Sequence, residues 1–165
     1  MPPSFLEITV GVAILSVGAI AVASTGLASE RIELEDAEHA LARSTALLVE
    51  NEVLTAADAA ASGEQPLGEL LLEAFDGRTR PVAAELRPWT AGQSVLEIDV
   101  VVDERLSDEE LGTALGLPRD LDGDGSATNP AVAAEARLVP VVVRLRWLSG
   151  EARREYVHGF FVRAH

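Results

Sequence analysis

Cysteine and lysine are both absent, and two tryptophans, one tyrosine and four phenylalanines make up a thin aromatic complement. Without cysteine there is neither a disulfide nor a thiolate metal site, so an exported domain would rely on its core or on an oxygen-ligated ion. With 13 arginines against 27 acids, and a formal net charge of −14, no general basic surface is available to neutralise phosphates. Nucleic acid is therefore not an expected partner. His39, His158 and His165 are too scattered to form a spaced zinc motif. Catalytic signatures are missing as well: no glycine-rich phosphate loop opens a helix, no histidine pair has helical spacing, and no serine lies in a nucleophile elbow. The chain is read as a non-enzyme. Glu109-Glu110 reads as exposed helix charge, and Trp89, Trp147, Tyr156, Phe160 and Phe161 as sheet core or sheet edge.

Charge is scarcest where hydrophobicity is greatest. Glu7 is the only formally charged side chain before Glu30, and Ile8 to Leu27 is an uncharged apolar run. About 20 helical residues cover the hydrocarbon core of a bilayer, so this run reads as a membrane-spanning helix. A cleaved secretory signal is the competing reading, but the basic n-region is missing and the run exceeds a usual h-region. Residues 1–28 are accordingly assigned to an N-terminal membrane and assembly helix, and 29–165 to an extracytoplasmic domain.

The helix is expected to continue over 29–62, giving about 80 Å of α-helix in all. Leu34, Leu41 and Leu48 recur at heptad spacing, flanked by Ala37, Ala40, Ser44, Leu47 and Leu54, with glutamates largely around them. The C-terminal half of this stripe is read as packing on a small sheet in the same chain, with a coiled coil as the alternative. A short amphipathic helix follows at 66–76. Strands are expected near 82–89, 95–103, 138–148 and 153–163, the last two joined by a tight turn at Ser149-Gly150. Ser107 to Leu115 reads as a helix with Ser107 as N-cap and Glu110 three residues on. The fold class is α+β: a long N-terminal helix on an antiparallel sheet of about four strands. Arg144, Arg146, Arg153 and Arg154 lie near the last hairpin, either as a solvated strand face or as partners for a neighbour's acids.

Phe5-Leu6-Glu7-Ile8-Thr9-Val10, followed by Ala13-Ile14-Leu15, resembles the N-terminal motif of the type IV pilin and type II secretion pseudopilin superfamily. In that family a glutamate at the fifth mature position opens an apolar helix. Aligning Glu7 with it puts the mature start at Pro3, where the family has Phe or Met. The resemblance is specific over residues 4 to about 30; beyond that it rests on architecture and is similar to minor, PilV-like prepilin-type proteins. It implies assembly through Phe5, Leu6 and Glu7, with Glu7 pairing with the N-terminal amine of an adjacent subunit. On physical grounds alone, Glu7 is equally readable as an interfacial acid favoured by the helix dipole. The implied partners are other pilin or pseudopilin subunits, a prepilin peptidase, an inner-membrane assembly platform, and membrane lipid before assembly. The implied location is the inner membrane, single-pass with the domain outside the cytoplasm, and then a pilus or pseudopilus filament. The alternative is a signal-anchored extracytoplasmic binding domain that does not polymerise.

The loop 118–130 carries Asp120-Leu121-Asp122-Gly123-Asp124-Gly125-Ser126-Ala127-Thr128. Acids at loop positions 1, 3 and 5 with glycine at 6 form the first half of a calcium loop, because converging oxygens suit a hard cation and glycine permits the sharp turn. Asp120, Asp122 and Asp124 are the candidate carboxylate ligands, with the Ser126 carbonyl and Thr128 beside them. Position 12 is Ala131, so a further acid would have to come from elsewhere, with Glu135 or Asp103 as candidates. The competing reading is a solvated acidic turn. The family resemblance adds weight to calcium.

Overall fold

The computed structural model describes residues 5–60, 65–80 and 82–164, with side chains from Ser29 onward in the first helix. The elements, in chain order, are α1 (Phe5–Ala60), α2 (Leu67–Phe75), β1 (Leu96–Val100), α3 (Asp108–Leu111), β2 (Leu138–Ser149) and β3 (Ala152–Arg163). The chain divides into two compact units, Met1–Ala37 and Glu38–His165. The first is the leading part of α1. The second holds the α+β fold: the rest of α1 and an antiparallel sheet of order β1-β2-β3.

β2 and β3 run in unbroken register over twelve pairs, from Leu138↔Arg163 to Ser149↔Ala152, around a turn at Gly150-Glu151 where Gly150 takes φ 60°. A left-handed residue at that point lets the turn follow the strand twist without a Cβ clash. Alternation along β2 sends Val139, Val141, Val143, Leu145 and Trp147 to one face, all fully buried. On that face lies α1, through Ala42, Ala46, Val49, Val53 and Ala57.

Here the expected helix face is corrected. Leu41 is half-buried against the core, but the rest of the leucine stripe does not cover the sheet: Leu48 is 69% exposed, Leu47 46% and Leu54 37%. The buried positions instead follow the i, i+4, i+7, i+11 rule on alanine and valine. Small side chains allow the helix to lie close over the bulky Trp147, a place leucines would overfill. Two polar contacts fix this docking. Glu38, itself buried, accepts from the Trp147 indole at 3.0 Å, and His158 of β3 meets Glu50 at 2.8 Å. His39 sets its ring edge-on to Trp147.

The sheet has three strands, not four. Residues 82–89 form no strand; the segment turns at Ala83–Leu86 and touches β2 through one isolated bridge, Arg87↔Leu148. Pro88 has no N–H to continue a ladder, and Trp89 instead hooks its indole N–H onto the carbonyls of Trp147 and Arg154. β2 and β3 fall where alternation placed them, while the strand expected over 95–103 is shorter and ends at Val100. The helix expected at Ser107–Leu115 stops at Leu111. Its capping box between Ser107 and Glu110 is present, but Gly112 takes a left-handed conformation, and the Asp108 carboxylate collects the N–H groups of Leu115, Gly116 and Leu117. The connection from β1 to β2 covers the second face of the sheet: the Leu111 carbonyl receives Arg144, and Arg119 lies over Phe161.

Among the described residues no helix is long and apolar enough to cross a membrane. The run Ile8 to Leu27, together with Phe5, Leu6 and Glu7, lies outside the residues so described.

Candidate metal centre

The aspartate loop is built from local turns. Asp120 accepts from the N–H groups of Gly123 and Gly125, Asp122 from that of Asp124, and Asp124 from that of Ser126. Each is an aspartate folding back on the main chain ahead of it, the habit that makes this residue a turn former. Gly125 holds φ 91°, which permits the sharp bend at position 6. Arg137 and Leu138 donate their N–H groups to the Leu121 carbonyl, pinning the base of the loop to the start of β2.

The interior candidate ligand is a residue the sequence reading passed over. Glu104 is fully buried beneath the loop, where Oε1 accepts from Leu121 at 2.6 Å and Asp122 at 3.3 Å while Oε2 accepts from Asn129 at 3.2 Å. Its own N–H returns a bond to the Asn129 carbonyl. Glu104, Asp120 and Asp122 thereby bring three carboxylates together, with one oxygen from each within 4.8 Å of the others. Three like charges this close repel one another, and a divalent ion would reverse that.

The remaining expected ligands are only partly gathered. Asp124 stands beside Asp122, bridged by the Asn129 amide, which donates to Asp122 at 3.0 Å and to Asp124 at 3.3 Å. The hydroxyls of Ser126 and Thr128 hydrogen-bond to each other at 2.8 Å. Asp103, one candidate for the missing acid, is instead engaged by Arg105, and Glu135 is exposed outside the triad. The apolar alternation Leu96, Ile98, Val100, Val102 runs on to Glu104 in the sequence, although the strand ends at Val100 and Val101, not Val102, is buried.

Electrostatics divide the loop from its surroundings. For Asp120, loss of solvent pushes its pKa up, but the N–H groups of Gly125 and Gly123 outweigh this and hold it below the usual carboxylate value. The Arg105 guanidinium, with its N–H, holds Asp103 at about 2. On the sheet, burial and then the neighbouring Glu97 raise Asp99, against the pull of Arg144. Arg144 and Arg146 are engaged within their own sheet, with Asp99, Glu97 and Glu155. Arg146 and Arg153 also lie against the Trp89 ring, beside a cavity of about 440 Å³ lined by Thr79, Trp89, Gln93, Glu97 and Arg146.

No family model, curated protein or solved structure matches this chain.

Proposed function

We propose that the chain is a pilin-like structural subunit, minor in its filament, that assembles through its N-terminal helix and performs no chemical turnover. The carrying observation is that α1 of the Glu38–His165 unit keeps large apolar residues away from its docked face. Its alanine and valine face is consumed by the chain's own sheet, while Leu47, Leu48 and Leu54 remain exposed to solvent. Leu47 and Leu54, a heptad apart, share a side of the helix and Leu48 lies about 100° round from Leu47; leucines left uncovered in this way would suit contact with other helices. This is the arrangement expected of a rod that leaves lipid to join sister rods, with the uncharged Ile8–Leu27 run as its membrane stage. The same reading assigns calcium to Glu104, Asp120 and Asp122, with Asp124 close by. The ion would staple a loop that has no disulfide to hold it.

The test is Glu7→Ala. Incorporation into sheared filaments, followed by mass spectrometry of the subunits, should fall sharply while the domain stays folded. Wild-type amounts of the variant in filaments would end the proposal. The second reading, an anchored extracytoplasmic binding domain, draws support from the cavity beside Trp89. It predicts that the native protein is never recovered in a filament fraction.

A further inference from the structure

β3 is a 12-residue strand at the edge of the sheet. The main chain of β2 decides which of its groups are free. Arg146 and Leu148 donate to Val95 and Arg87, and the Pro140 carbonyl accepts from Val101, so even-numbered β2 residues bond on the β1 side. Odd-numbered β2 residues therefore bond to β3, where Phe160, His158, Tyr156 and Arg154 are their partners. The N–H and C=O groups of Arg153, Glu155, Val157, Gly159, Phe161 and Arg163 consequently point away from the sheet. Among the described residues no hydrogen bond outside the sheet reaches them.

The opposite edge is treated differently. Gly77 donates to the Ile98 carbonyl, and the Asp76 carboxylate takes the Val100 N–H, so the end of α2 caps β1. Among the described residues β3 has no such cap, and its unbroken register leaves no bulge to twist the edge away. It also lacks proline and lysine, two usual guards of an open edge.

We propose that this edge pairs with β3 of a second copy of the chain, antiparallel about a two-fold axis at Gly159, joining two three-stranded sheets into one. Charge suits a second copy as the occupant and disfavours one of the two neighbouring registers. With Gly159 opposite Gly159, Glu155 of each copy, which also holds Arg146 of its own sheet at 2.9 Å, faces Arg163 of the other, and Val157 faces Phe161. Sliding one pairing step towards the hairpin sets Arg153 opposite Arg163, a like-charge pair that costs stability. The matched stretch Glu155–Arg163 makes about ten main-chain hydrogen bonds across the axis. Between the charged ends, Val157 to Phe161 carry no acid or arginine. A cavity of about 480 Å³ lies between Gly112–Leu115 of the β1–β2 connection and Val157–Gly159 of the strand, and the Leu115 side chain lies against Gly159. The pairing uses the sheet alone and does not rest on the filament reading.

Because the chain has no cysteine, engineered thiols report the register directly. Opposed residues in a hydrogen-bonded antiparallel pair have Cα atoms about 5.5 Å apart, within disulfide reach. Within one copy, positions 155 and 163 are about 27 Å apart along the strand and cannot bridge. The full 165-residue chain carrying Glu155→Cys and Arg163→Cys, oxidised in detergent micelles, should give a disulfide-linked dimer. Its yield should exceed that of either single variant by about tenfold, since pairing raises the effective thiol concentration. Equal yields from the singles and the double, no dimer, or preferential linkage through Arg153→Cys with Arg163→Cys would overturn the proposal. Val157→Pro removes one outward N–H and no β2–β3 bond. Added to the double variant, it should reduce the yield while leaving the circular dichroism unchanged; full yield in a folded Val157→Pro protein would equally overturn it.

Discussion

The indole N–H of Trp147, fully buried in β2, is received at 3.0 Å by the carboxylate of Glu38, 109 residues earlier on α1. This bond joins the helix to the sheet where the docked face begins. Glu38→Ala would strand the indole donor in a dry site, at a cost of about 1–3 kcal/mol. Glu38→Gln keeps an acceptor and should cost less. Urea unfolding of the full chain in detergent distinguishes the two. Equal losses would show that the helix is docked by apolar contact alone.

The two faces of α1 should separate cleanly in mutation. Leu48→Glu alters an exposed position and should change stability by no more than about 0.5 kcal/mol, while lowering recovery in filaments. Ala46→Leu forces volume into the helix–sheet contact and should destabilise by about 1–3 kcal/mol. Thermal melts of both variants, read beside filament recovery, check the pair.

Calcium should raise the melting temperature relative to chelator. At a free concentration one hundred times Kd the gain is about 2.7 kcal/mol. Glu104→Gln should abolish the calcium-dependent shift, whereas Thr128→Ala should keep most of it, because the threonine hydroxyl is turned towards Ser126. Superimposable melts with and without calcium would remove the ion from the triad.

Acid should weaken the connection between β1 and β2 before it reaches the apolar core. In Asp103 the Arg105 contact holds the folded pKa at about 2, below its ordinary 3.8. Desolvation pushes Asp108 and Asp120 up, but N–H groups outweigh it and lower both; bonds from Ser107 lower Glu110. A depressed folded pKa contributes stability above the unfolded value and loses it as pH falls through the folded one. The melting temperature should therefore drop between about pH 4 and pH 2, and Asp103→Asn should flatten that slope. Asp99 works in reverse: its raised pKa favours the fold at low pH and loses that contribution as pH rises through the folded value.

Much of the architecture was readable because it is written over a few neighbouring residues. Ser107 and Glu110 announce their capping box within one turn, and the alternation of Val139 through Trp147 assigns a strand and a buried face together. The proline-poor stretch before residue 60 likewise marks α1. Proximity along the chain also exposed Asp120, Asp122 and Asp124 as a loop of converging oxygens.

Glu104 was less legible, because a carboxylate four residues past β1 acquires its role only when Leu121, Asp122 and Asn129 are folded over it. The segment 82–89 looked like a strand by composition. Trp89, however, finds its acceptors on β2 and β3, contacts that no local pattern contains. The choice between the leucine and alanine–valine faces of α1 belongs to the same class. Sequence periodicity establishes that a helix has apolar sides, but the width of Trp147 beneath it decides which side can come close. Local dihedral preference and alternation are properties of the chain itself. Which apolar surface is buried, which acid is drawn inward and which strand edge stays open are settled by shape and charge meeting across long separations.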